Sequence, residues 1–274
     1  MPRGSINDVE LHYEIEGSGP PLVLVHGSWD THAVWGQAAE RLAERFRVIS
    51  YDRRSHGQSE RPPGPRNRRE DEADLAAMIT EVAGEPAYVA ANSFGGVISL
   101  GLLERRPELV RALAIHEPPA LTAADGGELA ERAQEVQTVL EEVLAEIEAG
   151  AEERATRRFI EDVALGPGAW QLTPPEFRAA LVANAPAFLA EQRDPNALAL
   201  DFDAVRACDV PLLVTKGEAS PAWLVQLAAR VAKILPTADT ATIPGAGHVP
   251  HETHPGVYVK EIEEFFAGRL TIAA

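Results

Sequence analysis

The chain has 274 residues, of which 45% are hydrophobic, so it can bury a large core as one domain with an insertion or as two modest domains. Its net charge of −17 disfavours nucleic acid and anionic membranes as partners, because both are negatively charged. Cys208 is the single cysteine, which excludes an internal disulfide framework and fits a reducing, cytoplasmic location. The first residues alternate like a strand rather than a signal peptide, and no apolar run approaches the roughly 20 residues that span a bilayer, so we expect a soluble protein.

Residues 1–118 alternate short apolar runs with amphipathic segments. After the alternating N-terminal stretch, the runs at 21–27, 47–52, 87–93 and 110–119 are typical of strands, and the segments 33–46, 71–83 and 96–110 have helical spacing. This order predicts a mostly parallel central sheet with helices on both faces.

The pattern changes between residues 120 and 200, where helical spacing continues without strand-like runs and prolines divide the second half. Strand, helix, strand and helix then return at 210–217, 223–235, 240–248 and 257–270. We therefore predict an α/β fold whose core is formed by residues 1–119 and 201–274, with an inserted helical lid at 120–200.

Ser93 ends a strand-like run in "VAANSFGG" and precedes a helical segment. A serine on such a sharp turn is exposed as a nucleophile when the residues two before and two after it are small, and Ala91 and Gly95 meet that requirement. The pattern alone occurs by chance roughly once in a few chains of this length, and a structural serine in a loop is the alternative. The strand before it and the helix after it favour the nucleophile.

His248 follows the last strand-like run within "PGAGHVPHETHP". The chain order serine, acid, histidine is the one expected when a hydrolase is built on this kind of sheet. We therefore predict that His248 is the general base for Ser93, rather than a surface or packing histidine.

The chain resembles the α/β-hydrolase fold superfamily in four motifs. "LVLVHGSW" resembles the oxyanion-loop strand, "YDRRSHGQS" the D-x-R-G-x-G-x-S turn, "ANSFGG" the nucleophile elbow and "PGAGHVPHETHP" the histidine loop. Ser55 and Ala91 stand where the superfamily pattern has glycine. The resemblance implies a serine hydrolase and argues against haloalkane dehalogenases and epoxide hydrolases, which have aspartate at the position of Ser93.

Two carboxylates are candidates for the residue that orients His248. Most members of the superfamily place this acid after the penultimate strand, where "KGEASP" offers only Glu218. Glu117, at the end of "AIHEPP", matches the placement in zearalenone-type lactone hydrolases, to which the chain has a fainter likeness. We favour Glu117 over Glu218, and the alternative is that Glu117 only caps the entrance to the lid.

The resemblance also implies an oxyanion hole formed by the backbone N–H groups of Phe94 and Ser28, with His26 holding the loop by hydrogen bonds. Aromatic side chains are candidates for the substrate pocket, and we expect only two or three to touch ligand, with Trp29 and Phe94 foremost as walls. The candidates are Trp29, Trp35, Trp170, Phe177, Phe188 and Trp223.

We expect a serine hydrolase that cleaves a small to medium, apolar and neutral carboxylic ester or lactone through an acyl-enzyme. Carbon–carbon bond hydrolysis or cofactor-free peroxidation by the same triad, and a receptor-like protein with little turnover, are the alternatives. Glycine clusters lack the context of a nucleotide-binding motif and no residues have metal-ligand spacing, so we expect no cofactor and no metal. The sequence does not indicate the oligomeric state.

Overall fold

The computed structural model describes residues 3–269. Eight strands form one sheet in the order β1-β2-β4-β3-β5-β6-β7-β8, in which β1 and β2 are antiparallel to their neighbours and β3 to β8 run parallel. The strands are β1 (Arg3–Ile6), β2 (Val9–Glu16), β3 (Pro21–Val25), β4 (Arg47–Tyr51), β5 (Ala87–Asn92), β6 (Val110–His116), β7 (Leu212–Gly217) and β8 (Ala238–Ile243). The predicted α/β class with a mostly parallel sheet is confirmed.

Helices follow most of the parallel strands. The α-helices are α1 (Gly36–Leu42), α2 (Arg68–Ala77), α3 (Phe94–Leu103), α4 (Gly127–Glu148), α5 (Glu152–Arg158), α6 (Ala169–Leu172), α7 (Pro175–Ala183), α8 (Ala185–Gln192), α9 (Phe202–Arg206), α10 (Ala222–Ile234), α11 (Pro250–Thr253) and α12 (Pro255–Ala267). Short 3₁₀ segments span His32–Trp35, Pro107–Leu109 and Leu121–Ala123, and π-helical segments span Met78–Ala83 and Phe159–Ala164. Within residues 3–269, none of the helices is long and apolar enough to cross a bilayer.

Both faces of the sheet are covered, as the continuous apolar runs of its central strands predict. In β3, Val23 and Val25 belong to the core on one face, whereas Leu22 and Leu24 belong to the core on the other. Alternate side chains of a strand point to opposite faces, so a strand that is apolar at every position must be buried on both. β3 is therefore a central strand.

The helices between β6 and β7 depend on amphipathic packing. In the 22-residue helix α4, the buried residues are Val136, Leu140, Val143 and Ile147, which recur at intervals of three or four and form one stripe. The opposite face of α4 carries many exposed glutamates, which account for part of the negative charge. The helices α4 to α9 lie in the chain between β6 and β7, which run parallel, so the chain leaves β6 at the carboxyl edge of the sheet and enters β7 at the amino edge.

Candidate active site

The carboxyl ends of the central strands lie at one edge of the sheet. Asn92 at the end of β5 is paired with His116 at the end of β6, and Gly217 at the end of β7 is paired with Ile243 at the end of β8. Ser93, Glu117 and the loop that carries His248 follow three of these strand ends directly. Residues far apart in the chain therefore meet at this edge, where open α/β sheets bind their ligands.

Ser93 lies on a sharp turn between β5 and α3. Its backbone has φ 52° and ψ −123°, a conformation that L-residues rarely adopt, and such strain is typical of functional turns. A Cβ atom on Gly95 would lie 2.4 Å from the carbonyl oxygen of Val25, so only glycine allows α3 to approach β3 this closely. The turn thus lifts Ser93 out of the sheet edge.

His248 is held between two neighbouring loops. Its Nδ1 lies 2.8 Å from Oε2 of Glu117, and its carbonyl oxygen accepts a hydrogen bond of 2.9 Å from the Asn92 side chain, next to Ser93. His248 is 6% exposed, so the imidazole is almost wholly shielded from solvent. With Nδ1 directed at Glu117, Nε2 is the ring nitrogen left to act on a group in the cavity that His248 and Ser93 both line.

Glu117 is buried with all its carboxylate contacts inside the protein. Its Oε1 accepts a hydrogen bond of 2.8 Å from the backbone N–H of Gly217, and its Oε2 also lies 3.5 Å from Nε2 of His116. Burial by itself raises the pKa of Glu117, but the hydrogen bonds and charges of His116 and His248 hold that pKa well below its usual range. Glu117 is therefore an anion positioned to stabilise a charged His248.

The alternative acid Glu218 lies elsewhere. It is exposed, and its Oε2 accepts a hydrogen bond of 2.8 Å from the backbone N–H of Gly245, which ties down the turn after β8. The carboxylate within hydrogen-bond distance of His248 is that of Glu117.

The loop after β3 passes close to Ser93. A Cβ atom on Gly27 would lie 3.0 Å from the Cβ of Ser93. The carbonyl oxygen of Gly27 faces the other way, since it lies 2.8 Å from Nδ1 of His26 and accepts a hydrogen bond of 3.0 Å from Nη2 of Arg53. Because N–H and C=O point in opposite directions across a trans peptide, the N–H of Ser28 is directed away from Arg53.

His26 holds this loop as a neutral group. Its Nε2 accepts a hydrogen bond of 3.0 Å from the backbone N–H of Arg53, which leaves Nδ1 to carry the proton that reaches Gly27. Burial, together with the charge of Arg53, lowers the pKa of His26 to about 3. His26 is therefore a structural group that stays neutral near neutral pH.

Arg53 connects the loop after β3 to the helices above the sheet. Its guanidinium is fully buried, and it lies 2.7 Å from Oε2 of Glu191 in α8 and 3.2 Å from Oδ1 of Asp71 in α2. Its carbon Cζ lies 5.1 Å from the ring centroid of Phe94, and the hydroxyl of Ser28 donates to Oε1 of Glu191. One buried cation thus links the loop, Phe94 and α8.

Two cavities meet at Ser93 and His248. The wide cavity, of about 470 Å³, extends past Trp29 and Asp30 to Phe177 in α7 and Glu252 in α11. The narrow cavity, of about 30 Å³, is almost entirely apolar and extends between Phe94 and the helices above the sheet. A molecule held at Ser93 can therefore direct one part into each cavity.

The aromatic residues predicted to form the pocket divide between these cavities and the rest of the protein. Trp29 and Phe177 line the wide cavity, whereas Phe94, Phe188 and Trp223 line the narrow one. Trp170 lines neither: it lies in α6 beneath Arg178, whose Cζ is 5.5 Å from its ring centroid, and it borders a separate depression at Gly150. Trp35 packs instead on His251, with 4.3 Å between ring centroids.

Two groups of side chains within residues 3–269 bring histidine and carboxylate atoms within 4.8 Å of one another: His12 with Glu14 and His32, and His116 with Glu117 and His248. Sequence spacing does not reveal them because the third member of each group, His32 or His248, comes from a distant part of the chain. In the first group His32 also contacts Asp52, with 2.7 Å between Nδ1 and Oδ1. Burial opposes a charge on His32, but Asp52 and Glu14 raise its pKa, which favours an imidazolium over a metal ligand.

Several residues at the site were missed in the sequence. His116 and Glu191 are buried next to Glu117 and Arg53, but a lone histidine at a strand end and one glutamate among many in a helical stretch carry no distinctive pattern. Arg53 lies within the "YDRRSHGQS" motif and is the member that this signal could have identified. Asp30 and Glu252 belong to no sequence motif that could have identified them.

A family model described as "Alpha/beta hydrolase family" matches residues 22–261. The chain is similar to the "Putative carbamate hydrolase RutD" of Azorhizobium caulinodans, with 38% identity over 115 residues that make up 42% of this chain and 43% of that protein. The match therefore spans less than half of that relative.

Two further matches extend over nearly the whole chain. The "2-(acetamidomethylene)succinate hydrolase" of Mesorhizobium japonicum is 27% identical, with 96% of this chain and 94% of that protein aligned. The crystal structure of an alpha/beta hydrolase from Sphaerobacter thermophilus has a TM-score of 0.76 and 29% identity, covering 97% of this chain and 100% of that one.

Proposed function

The chain belongs to the alpha/beta hydrolase family, and from that premise we propose that it is a serine hydrolase that cleaves a carboxylic ester or lactone through an acyl-enzyme. The observation that carries this proposal is the 2.8 Å contact between Nδ1 of His248 and Oε2 of Glu117, made by an imidazole that borders the same cavity as Ser93. A reaction of this kind needs a serine, a histidine and a carboxylate, each of which acts on the next.

In the proposed reaction, Nε2 of His248 accepts the proton of the Ser93 hydroxyl while Oγ attacks the substrate carbonyl carbon. Glu117 stabilises the imidazolium that forms. Collapse of the tetrahedral intermediate breaks the bond to the leaving oxygen, which takes the proton from His248 and departs as an alcohol, or stays attached if the substrate is a lactone. Water, deprotonated by His248, then attacks the acyl-enzyme and releases the acid with Ser93 restored.

The negative oxygen of the tetrahedral intermediate needs donors that are in place beforehand, and we assign this role to the backbone N–H groups of Phe94 and Ser28. Support for Ser28 comes from the orientation of the Gly27 carbonyl toward His26 and Arg53, which directs the N–H of Ser28 to the opposite side. Support for Phe94 comes from its place as the first residue of α3, directly after Ser93.

The names of two relatives extend the range of bonds to be tested. One is named as a putative carbamate hydrolase and the other as a 2-(acetamidomethylene)succinate hydrolase. We propose an ester or lactone as the preferred substrate because the narrow cavity is lined almost wholly by apolar side chains and offers few partners for an amide or carbamate N–H. A carbamate is the comparison substrate.

Hydrolysis of p-nitrophenyl acetate and butyrate by the purified protein tests the proposal. We expect turnover in the wild type and its loss in both Ser93→Ala and His248→Gln, with folding checked by circular dichroism. A panel of aryl esters, γ-lactones, macrocyclic lactones and aryl carbamates then ranks the bond types by kcat/KM. Absence of turnover, or turnover that persists in Ser93→Ala, would contradict the proposed mechanism.

A further inference from the structure

The wide cavity carries negative charge without a compensating cation in its lining. Of its lining residues within 3–269, Asp30 and Glu252 are the two carboxylates, and neither lysine nor arginine is among them. Asp30 follows Trp29 on the loop after β3, and Glu252 lies in α11, so the two carboxylates come from separate elements. The side chains between them and Ser93 are largely apolar.

Asp30 is partly buried, and within the described chain its carboxylate has neither a hydrogen bond nor an ion pair. Burial and the charge of Glu252 raise the pKa of Asp30 to about 7, although the charge of Arg53 partly offsets them. Removing a carboxylate from water without a partner costs free energy, and a bound cation removes that cost. A cation bound in the cavity would supply this partner.

Aromatic rings line the same cavity. Trp29, Phe159 and Phe177 face it, and Phe177 remains 52% exposed at its mouth. Aromatic faces together with carboxylates are the environment that binds alkylammonium groups, because the ring quadrupole attracts a cation that is too weakly hydrated to prefer water. Trp29 is 1% exposed, and its ring packs on Phe159 and Phe188, with 5.4 and 4.6 Å between ring centroids.

We propose that the wide cavity binds the ammonium group of an ester or lactone substrate, with Asp30 and Glu252 as its counter-ions and the aromatic rings as its walls. This inference rests on the proposed function, since the ester bond is the one that Ser93 attacks. The narrow cavity receives the apolar part of the same molecule. The composition of the lid led us to expect a neutral and apolar substrate, and this proposal departs from that expectation in the charge of the substrate.

Two pairs of esters test this proposal. Within each pair, one ester has a quaternary nitrogen where the other has a carbon atom. Choline butyrate and 3,3-dimethylbutyl butyrate have the same shape, but only the first is cationic, and the charge lies on the alcohol side. The p-nitrophenyl esters of 4-(trimethylammonio)butyrate and 5,5-dimethylhexanoate place the same difference on the acyl side. We expect kcat/KM to be at least tenfold higher for the ammonium ester of one pair or both.

The variants Asp30→Asn and Glu252→Gln test whether the preference for ammonium esters comes from these two carboxylates. We expect each variant to reduce the ratio of kcat/KM between the ammonium and neutral esters at least threefold, mainly through a higher KM for the ammonium ester. Glu176→Gln, which removes an exposed charge from α7 outside the cavity lining, is the matched control and should leave the ratio unchanged. A ratio near one in the wild type, or an unchanged ratio in both cavity variants, would overturn the inference.

Binding separates this inference from the proposed function. Titration of choline butyrate into Ser93→Ala, followed by calorimetry, measures the cation site without any turnover. If no ester is cleaved but this binding occurs and is lost when Asp30→Asn is added, the cation site stands and the proposed chemistry fails. If the neutral esters are cleaved in a manner that depends on Ser93 but choline butyrate does not bind, the chemistry stands and the cation site is excluded.

Discussion

Arg53 and Glu191 form an ion pair in which Nη2 and Oε2 are 2.7 Å apart and both side chains are essentially excluded from solvent. Arg53 belongs to the loop after β4 and Glu191 to α8, so this pair joins the sheet to the helices that cover it. A buried ion pair contributes little net stability over an apolar pair, but loss of one partner leaves the other as an uncompensated charge.

We therefore expect Glu191→Gln to reduce the free energy of unfolding by about 3 kcal/mol, as measured by urea denaturation. It should also lower kcat for p-nitrophenyl butyrate, because glutamine has one acceptor oxygen for the two donors Arg53 and Ser28, and the loop that carries the proposed oxyanion donor loosens. Glu148→Gln, which breaks an exposed pair with Arg193, is the control and should cost less than about 0.5 kcal/mol. Equal losses in the two variants would show that burial of the Arg53 pair has no special effect.

Glu117→Gln should lower kcat for p-nitrophenyl butyrate by about 10³- to 10⁴-fold, because His248 loses its charge partner and the orientation of its ring. Glu218→Gln should change kcat less than about threefold, since Glu218 is exposed and bonds only to the turn after β8. Steady-state kinetics of the two variants measures both effects. If Glu218→Gln alone is inactive, our assignment of the acid is wrong.

Gly95→Ala should destabilise the protein by about 3 kcal/mol or prevent its folding, because a Cβ atom would lie 2.4 Å from one backbone oxygen and 2.7 Å from the next. Gly256→Ala provides the comparison: it lies in the first turn of α12 with no atom within 4 Å of the added methyl group, and should be neutral or stabilising by up to about 1 kcal/mol. Thermal unfolding of the two variants tests the requirement for glycine after Ser93. A Gly95→Ala variant as stable as the wild type would contradict it.

Asp30→Asn should stabilise the protein above neutral pH. The pKa of Asp30 is raised to about 7 in the folded protein, so the folded state binds a proton more tightly than the unfolded chain, and stability is lost as the pH rises from about 4 to 7. Because asparagine does not ionise, Asp30→Asn does not lose stability as the pH rises in this range. We expect it to be about 1–2 kcal/mol more stable than the wild type at pH 8, with the difference vanishing near pH 4.

Urea denaturation at several pH values measures this difference. Glu176→Gln, whose carboxylate is exposed, should show no comparable dependence on pH relative to the wild type. A difference between Asp30→Asn and the wild type that is constant from pH 4 to 8 would mean that ionisation of Asp30 is not its source. The same carboxylate would then have no unfavourable energy for a bound ammonium group to relieve.

Much of the fold could be predicted because its signals are local. The strand ending at Asn92 and the helix beginning at Phe94 follow from an apolar run, a small-residue turn and helical spacing. Ser55 has φ 66°, a left-handed conformation that glycine adopts freely, which agrees with its place at a glycine of the superfamily pattern. The contact of Glu117 with His248 was predictable only through the resemblance, because it joins residues 131 positions apart.

The remaining features depend on tertiary packing that no periodicity encodes. Whether Trp170 or Trp223 reaches the cavities is decided by how α6 and α10 pack in the folded protein, and both tryptophans look alike in the sequence. Asp30 and Glu252 are ordinary acidic residues until the fold brings them to one cavity without a cation. The same holds for Arg53, whose burial is set by α2 and α8 together.

The helices from α4 to α9 leave the sheet after β6 and return at β7, two strands that pair directly with each other. Because these strands are parallel, the chain leaves β6 at the carboxyl edge of the sheet and enters β7 at the amino edge, so a segment exchanged by protein engineering must also span the depth of the sheet. The buried guanidinium of Arg53 sets a condition on such chimaeras. A transplanted segment that brings no carboxylate to the position of Glu191 would have to be combined with an uncharged residue at position 53.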